Sequence, residues 1–280
     1  MAESARQGRE YALGHSPEEL DRLSVQAKLM EAFTCRVFER AGVGPGMKVL
    51  DVGSGAGDVA FLVREIVGPE GKVVGTDRAP AALQRSRERA AALGYGNVEF
   101  VQGDPVEMTF AEPFDALVGR FVLMYYPDPS GALRRLARHL RPGGIVAFQE
   151  SDNTGARTFP PQPLFNRLFE LMQKALELSG ADPRMALKLY STFVAAGLPA
   201  PSMQAEVALM GSQDPLVEAL ANFLVQGLRS MAPVIVKHGL ATEQELGLDS
   251  YARRLTEAFR AGDGIMLSPP FIGAWTRRAD

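Results

Sequence analysis

The 280-residue chain has one cysteine, one tryptophan and three histidines. The lone Cys35 excludes an internal disulfide framework and offers no thiolate cluster to a metal. Charge of neither sign is in excess. Lys+Arg number 30 against 33 Asp+Glu. Residues 1–150 carry 18 against 20 and residues 151–280 carry 12 against 13. With no regional basic excess there is no face for duplex nucleic acid. No unbroken apolar run reaches the roughly 18–20 residues that span a bilayer. The start, MAESARQGREYALGHSPEEL, has no apolar signal-peptide core. The expectation is a soluble, cytoplasmic protein. With 46% hydrophobic and 22% charged residues, the composition is that of a core-forming globular chain and excludes disorder and collagen-like repeats.

Residues 17–41 read as a helix. Ser16 and Pro17 supply a cap and a first-turn proline, and Leu20, Leu23, Ala27, Met30 and Phe33 recur at helical spacing. Short apolar runs follow at Lys48–Val52, Lys72–Thr76, Val98–Gln102, Ala116–Gly119 and Ile145–Gln149. Helical stretches, Asp58–Val67, Pro80–Leu93 and Ser130–Leu140, alternate with them. That alternation predicts βαβ units, a parallel sheet and right-handed crossovers. Beyond residue 150, Leu164–Ser179, Pro183–Ala196, Pro215–His238 and Thr242–Ala261 read as helices. Ser202–Met210 and Gly264–Trp275 read as extended, two late strands expected to pair as a hairpin at one edge of the sheet.

The segment Val49-Leu50-Asp51-Val52-Gly53-Ser54-Gly55-Ala56-Gly57-Asp58 runs from a buried strand through three alternate glycines into a helix. Such a loop brings bare amides against a ligand, and the helix start favours an anionic group. A dinucleotide fingerprint needs G-x-G-x-x-G, and Asp58 occupies the third-glycine position. Asp77 ends the second strand, 24 residues after Gly53, where a carboxylate can accept both hydroxyls of a ribose. A helix cap is the alternative, though Asp77 stands two residues early for it. Asp104 ends the third strand and suits an exocyclic amine of adenine; its alternative is a turn before Pro105. All three lie at carboxyl ends of neighbouring strands, where open α/β sheets bind ligands.

These residues resemble the class I S-adenosylmethionine-dependent methyltransferases. VLDVGSGAG is similar to that family's nucleotide loop, VVGTD to its ribose strand and VQGD to its adenine strand. Phe114–Arg120 is similar to its fourth strand, and Leu140-Arg141-Pro142-Gly143-Gly144 to its turn into the fifth. The resemblance implies a doubly wound, seven-stranded Rossmann-like α/β fold with an N-terminal helical lid and helical insertions around the last two strands. It implies an organisation of residues 1–44 as lid and helix, 45–156 as the S-adenosylmethionine-binding core and 157–280 as a helical substrate cap carrying the last two strands. It implies S-adenosyl-L-methionine as cofactor, with Asp51, Gly53, Ser54, Gly55 and Gly57 around its methionine part. Asp77 and Arg78 would lie at the ribose, Gly103, Asp104 and Pro105 at the adenine, and Arg120 and Val122 near the sulfonium. Tyr11–Ser16 and the terminal Pro269–Trp275 resemble small-molecule methyltransferases of bacterial and fungal secondary metabolism.

Methyl transfer from a cationic sulfur proceeds by in-line displacement, and orientation supplies much of its catalysis. The candidates for a base are Glu150, after the fifth strand, and Tyr11 and His15, in a leader expected to close as a lid. Each is read against a capping or packing role. His139 reads as structural, and His238 as satisfied by a helix C-terminus. No metal is expected. Gly119-Arg120 stand where metal-assisted relatives carry a carboxylate, and Asp152-Asn153 alone cannot hold a divalent ion. The aromatic and Met positions Phe159, Phe165, Phe169, Met172, Tyr190, Phe193, Phe223, Leu224, Leu228 and Met231 read mainly as core, under a cap with few fixed charges. The expected partner is therefore a small aromatic or hydrophobic acceptor, methylated at carbon, nitrogen or oxygen, with no nucleic acid and no membrane; a homo-oligomer is allowed. The alternatives are a methyltransferase of RNA or protein and a non-catalytic S-adenosylmethionine-binding protein.

Overall fold

The computed structural model describes residues 30–279. Its main sheet has seven strands in the order β3-β2-β1-β4-β5-β10-β7. The ranges are β1 Lys48–Val52, β2 Lys72–Asp77, β3 Val98–Gln102, β4 Phe114–Arg120, β5 Leu140–Ser151, β7 Ser202–Glu206 and β10 Phe271–Arg277. The first five are parallel, and β10 runs antiparallel between β5 and β7. The strand order reverses between β1 and β4, so the crevice of an open α/β sheet falls at their carboxyl ends.

Adjacent residues on each strand go to opposite faces. Val49, Ala116, Ile145 and Ala147 enter one cluster with Phe33, Val37 and Phe38 of α1 (residues 30–41), with α2 (Asp58–Val67) and with α3 (Pro80–Leu93). Leu50, Leu117, Val146 and Phe148 enter the other, which continues through α4 (Pro129–Leu136) and α6 (Met185–Ala195) into a bundle of later helices. Burial of apolar surface on both sides is what the near-continuous hydrophobic strands require.

The helical bundle is α5 (Pro163–Leu178), α7 (Val217–Lys237) and α9 (Leu248–Arg260), with the single turn α8 (Glu243–Leu246) between the last two. The expected helix Thr242–Ala261 is broken at Gly247, whose φ of 51° ends α8. By length and composition α7 could cross a bilayer. The polar Gln226 and Arg229 interrupt its apolar run, and Val217, Ala221, Leu224, Leu228, Met231 and Ile235 are buried along one stripe.

The two late extended segments depart from expectation by splitting. Ser202–Met210 yields β7 and β8 (Leu209–Gly211), and Gly264–Trp275 yields β9 (Ile265–Leu267) and β10. One member of each split pair joins the main sheet. The others form a second antiparallel sheet, β6-β9-β8, with β6 at Arg157–Phe159. Pro269 and Pro270 lack amide protons, so they end β9 and turn the chain into β10. Ser268 and Ala208 hold the bend, with the Ser268 amide donating to the Ala208 carbonyl at 2.9 Å. β7 and β10 pair antiparallel as expected, but α7 to α9 lie between them in sequence, so they are no hairpin. The Pro142-Gly143-Gly144 turn lies inside β5, where the register against β4 shifts between Phe114 and Ala116.

Phe148 is fully buried, and a Cβ added to its neighbour Gly119 would stand 2.5 Å from its ring. Phe148→Ala is expected to cost about 3–5 kcal/mol of stability, read from the urea midpoint. A loss under about 1 kcal/mol would show that the sheet does not depend on this ring.

Candidate active site

At the end of β1 the three glycines take left-handed φ values of 65°, 52° and 93° at Gly53, Gly55 and Gly57. A Cβ on Gly53 would lie 2.4 Å from the Val122 side chain, so both the backbone and the neighbour demand glycine there. Among the described residues a Cβ on Gly55 would meet nothing within 4 Å, so this peptide borders space that they leave open. The loop is laced to β2: the Ser54 amide donates to the Thr76 carbonyl at 2.8 Å, and the Thr76 hydroxyl donates to the Asp51 carbonyl at 3.2 Å. Asp58 pairs with Arg89 of α3 at 2.8 Å.

The carboxylate of Asp77 accepts the Gly55 amide on Oδ2 (2.9 Å) and the Ala79 amide on Oδ1 (2.8 Å). Ala79 is the N-cap residue of α3, so Asp77 does satisfy an amide at the start of that helix despite its distance in sequence. Each oxygen retains a lone pair for a further donor. At the end of β3, Asp104 accepts from the Val106 amide and the Tyr126 hydroxyl and pairs with Arg78. Gly103, at φ 149°, donates to the Asp77 carbonyl at 2.9 Å and packs where a Cβ would strike Met108. The buried Pro105 offers its carbonyl to His139 Nε2 at 2.7 Å, which gives His139 a structural task and places a proton on that nitrogen. His238 is an exposed C-cap of α7.

Beneath α1 lies a buried polar row. Arg120 Nη1 donates to the Thr34 hydroxyl at 3.1 Å, and that hydroxyl donates to Gln149 Oε1 at 2.8 Å. Asp51 is 1% exposed; among the described residues neither carboxylate oxygen has a partner at full hydrogen-bond geometry, the Ala60 amide only opposing its rise in pKa, and Ser54 Oγ and Gln149 Nε2 are likewise buried without partners. Burial pushes the Asp51 carboxyl well up, opposed by the charge of Arg120. Burial in turn lowers Arg120, opposed by Asp58 and Asp51. Cys35 on α1 is pushed up by burial and by Glu31 and Glu39, which makes it a poor nucleophile.

Glu150, expected as a candidate base, has another task. Its side chain is fully buried, and Oε1 accepts the amides of Val122 (2.9 Å) and Leu123 (2.7 Å). It therefore caps the 3-10 turn Leu123–Tyr125 that follows β4. Tyr11 and His15, the other two candidates, lie outside the described residues, as does the proposed lid. Among the aromatic positions of the cap, Phe165, Phe169 and Phe193 are core, whereas Phe159 and Tyr190 face solvent. Sequence reasoning missed Thr34, Gln149 and Tyr126. A polar Gln149 ending an apolar strand was a usable signal; Tyr126 carried none.

Residues 44–197 match the family described as methyltransferase domain. The chain belongs to that family. It is 35% identical, over 140 residues, to the demethylmenaquinone methyltransferase of Staphylococcus aureus, covering 50% of this chain and 55% of that one. This methyltransferase-family chain thus spans about half the length of the curated relatives it matches. Among solved structures it is similar to the YcgJ protein of Bacillus subtilis, with a TM-score of 0.57 and 16% identity over 89% of this chain and 99% of that one. It is also similar to phosphoethanolamine N-methyltransferase 2 of Haemonchus contortus, in complex with phosphomonomethylethanolamine and S-adenosylhomocysteine. There the TM-score is 0.53, with 15% identity over 89% and 53% of the two chains. At such identities the structural likeness shows the fold.

The Glu150 cap has a pH consequence. Burial raises its carboxyl from 4.5 to about 8; the Leu123, Val122 and Met124 amides oppose the rise and the charge of Asp182 adds to it. The folded chain therefore keeps a proton that the unfolded chain has already released. This contribution to stability is complete below about 4.5 and is lost as pH rises through about 8. Relative to Glu150→Gln, the wild type is expected to lose on the order of 5 kcal/mol across that window, by urea unfolding at several pH values. A difference that does not vary with pH would contradict this.

Proposed function

We propose that the chain binds S-adenosylmethionine across the carboxyl ends of β1, β2 and β3 and transfers its methyl group to a small aromatic or hydrophobic acceptor. The observation that carries the reading is the combination, among the described residues, of open space at Gly55 with the unpartnered buried atoms of Asp51 and Ser54 beside it. Buried polar groups without partners are costly, and a ligand that supplies the missing partners recovers that cost. The residues fit this cofactor. An ammonium group satisfies Asp51 and restores its charge, and a carboxylate satisfies Gln149 Nε2 and Arg120. The unused lone pairs of Asp77 suit two ribose hydroxyls, and Asp104 suits the adenine amine.

When bound, the cofactor supplies a methyl group on a cationic sulfur, which an electron-rich acceptor atom displaces in line. The chain orients the partners and keeps water away; Glu150 holds the turn bearing Val122 and removes no proton. The apolar character of the acceptor is supported by Phe121, at φ 57°, whose ring lies 6.0 Å from that of Phe271. Strained residues of this kind concentrate at functional sites. The name of the Staphylococcus aureus relative, which specifies a quinone, agrees with such an acceptor.

Asp77→Ala is expected to weaken S-adenosylmethionine binding more than about tenfold, since two charge-assisted hydrogen bonds are lost. Isothermal titration of the variant, with circular dichroism to verify folding, measures this. Unchanged affinity in a folded variant would overturn the ribose assignment. Transfer of labelled methyl to a panel of small aromatic acceptors tests the reaction itself.

A further inference from the structure

Tyr126 joins two loops of the nucleotide edge. Its hydroxyl donates to Asp104 Oδ1 at 2.8 Å, the oxygen that also accepts the Val106 amide at 3.0 Å. Burial, then the charge of Asp104, pushes the Tyr126 hydroxyl far up, so it remains a donor. The other oxygen, Oδ2, is held among the described residues by Arg78, whose guanidinium lies 5.6 Å from the Tyr126 ring centre. The two partners are held differently. The Arg78 side chain is 56% exposed and Asp104 only 17%, while Tyr126 is largely enclosed. A solvated ion pair contributes little net stability, whereas a desolvated hydroxyl on a carboxylate is costly to remove.

We propose that Tyr126 is a positioning residue that fixes Asp104 Oδ1, and that Arg78 is an exchangeable occupant of Oδ2 displaced by the amino group of a bound adenine. The inference rests on the S-adenosyl reading. On binding, an N–H of the purine replaces an N–H of the guanidinium on Oδ2, and Tyr126 keeps the carboxylate plane aimed at it. A 6-oxopurine presents an acceptor at that point and faces the carboxylate lone pairs unpaired. A site built to accept a hydrogen bond discriminates strongly against such an analogue.

Titration calorimetry of the full chain with S-adenosylhomocysteine and with S-inosylhomocysteine tests this. The wild type is expected to prefer the adenosine compound, and Tyr126→Phe to reduce that preference about tenfold by weakening the adenosine compound alone. Arg78→Gln is expected to strengthen binding of the adenosine compound roughly twofold to fivefold, because the competing cation is gone. An unshifted preference in Tyr126→Phe, or equal weakening of both compounds, overturns the positioning role. Unchanged or weaker binding in Arg78→Gln overturns the exchange. Failure of the wild type to bind either compound overturns the S-adenosyl reading together with this inference, whereas binding without these shifts overturns the inference alone.

Discussion

The contact between the Val122 side chain and the bare Cα of Gly53 joins the two halves of the sheet at the point where strand order reverses. Gly53 must lack a side chain because Val122 occupies its place. Val122 is there because Phe121 turns left-handed and donates its amide to the Gln149 carbonyl at 2.8 Å. The turn persists because Glu150, buried on β5, accepts the next two amides. Five positions, Gly53, Phe121, Val122, Gln149 and Glu150, at or just beyond the ends of β1, β4 and β5, thus determine one another. A strained residue survives only when its surroundings over-determine it in this way.

The electrostatics of the region follow from the same crowding. Asp51, Gln149 and Glu150 are buried and Arg120 is half-buried at the strand ends, yet Asp51 and Arg120 make no direct ion pair among the described residues. An apolar core would have been cheaper, since desolvating charges costs more than imperfect pairing returns. Polar atoms of Asp51, Ser54 and Gln149 left without partners among the described residues support the proposed binding of S-adenosylmethionine. These atoms bear on function in a way that the likeness to known folds does not, since a fold alone does not carry a function.

The strands and helices of the first half were legible because period and punctuation agreed. β1, α2, α3 and β3 fall where the apolar runs and the Gly and Pro signals put them. The places of Asp77 and Asp104 at the ends of β2 and β3 were legible because each apolar run stops just before its acid. The second half was harder for identifiable reasons. The bends at Ala208 and Ser268 leave no break in extended character, so two runs concealed four strands and a second sheet. Gly247 interrupts a helix whose apolar spacing continues across it. The capping role of Glu150 depends on amides 27 and 28 positions away, and the Tyr126 hydroxyl bonds an aspartate 22 positions upstream; neither leaves a local pattern.

The proposed function requires one nucleoside-bearing amino acid to bridge the ends of β1, β2 and β3. A crystal structure of the chain with S-adenosylhomocysteine tests it most directly. The account predicts the amino-acid end against Gly53–Gly57 with its ammonium on Asp51, the ribose hydroxyls on Asp77 and the purine amine on Asp104. A ligand lying elsewhere, or crystals soaked to saturation that show these carboxylates in contact with solvent alone, would contradict it.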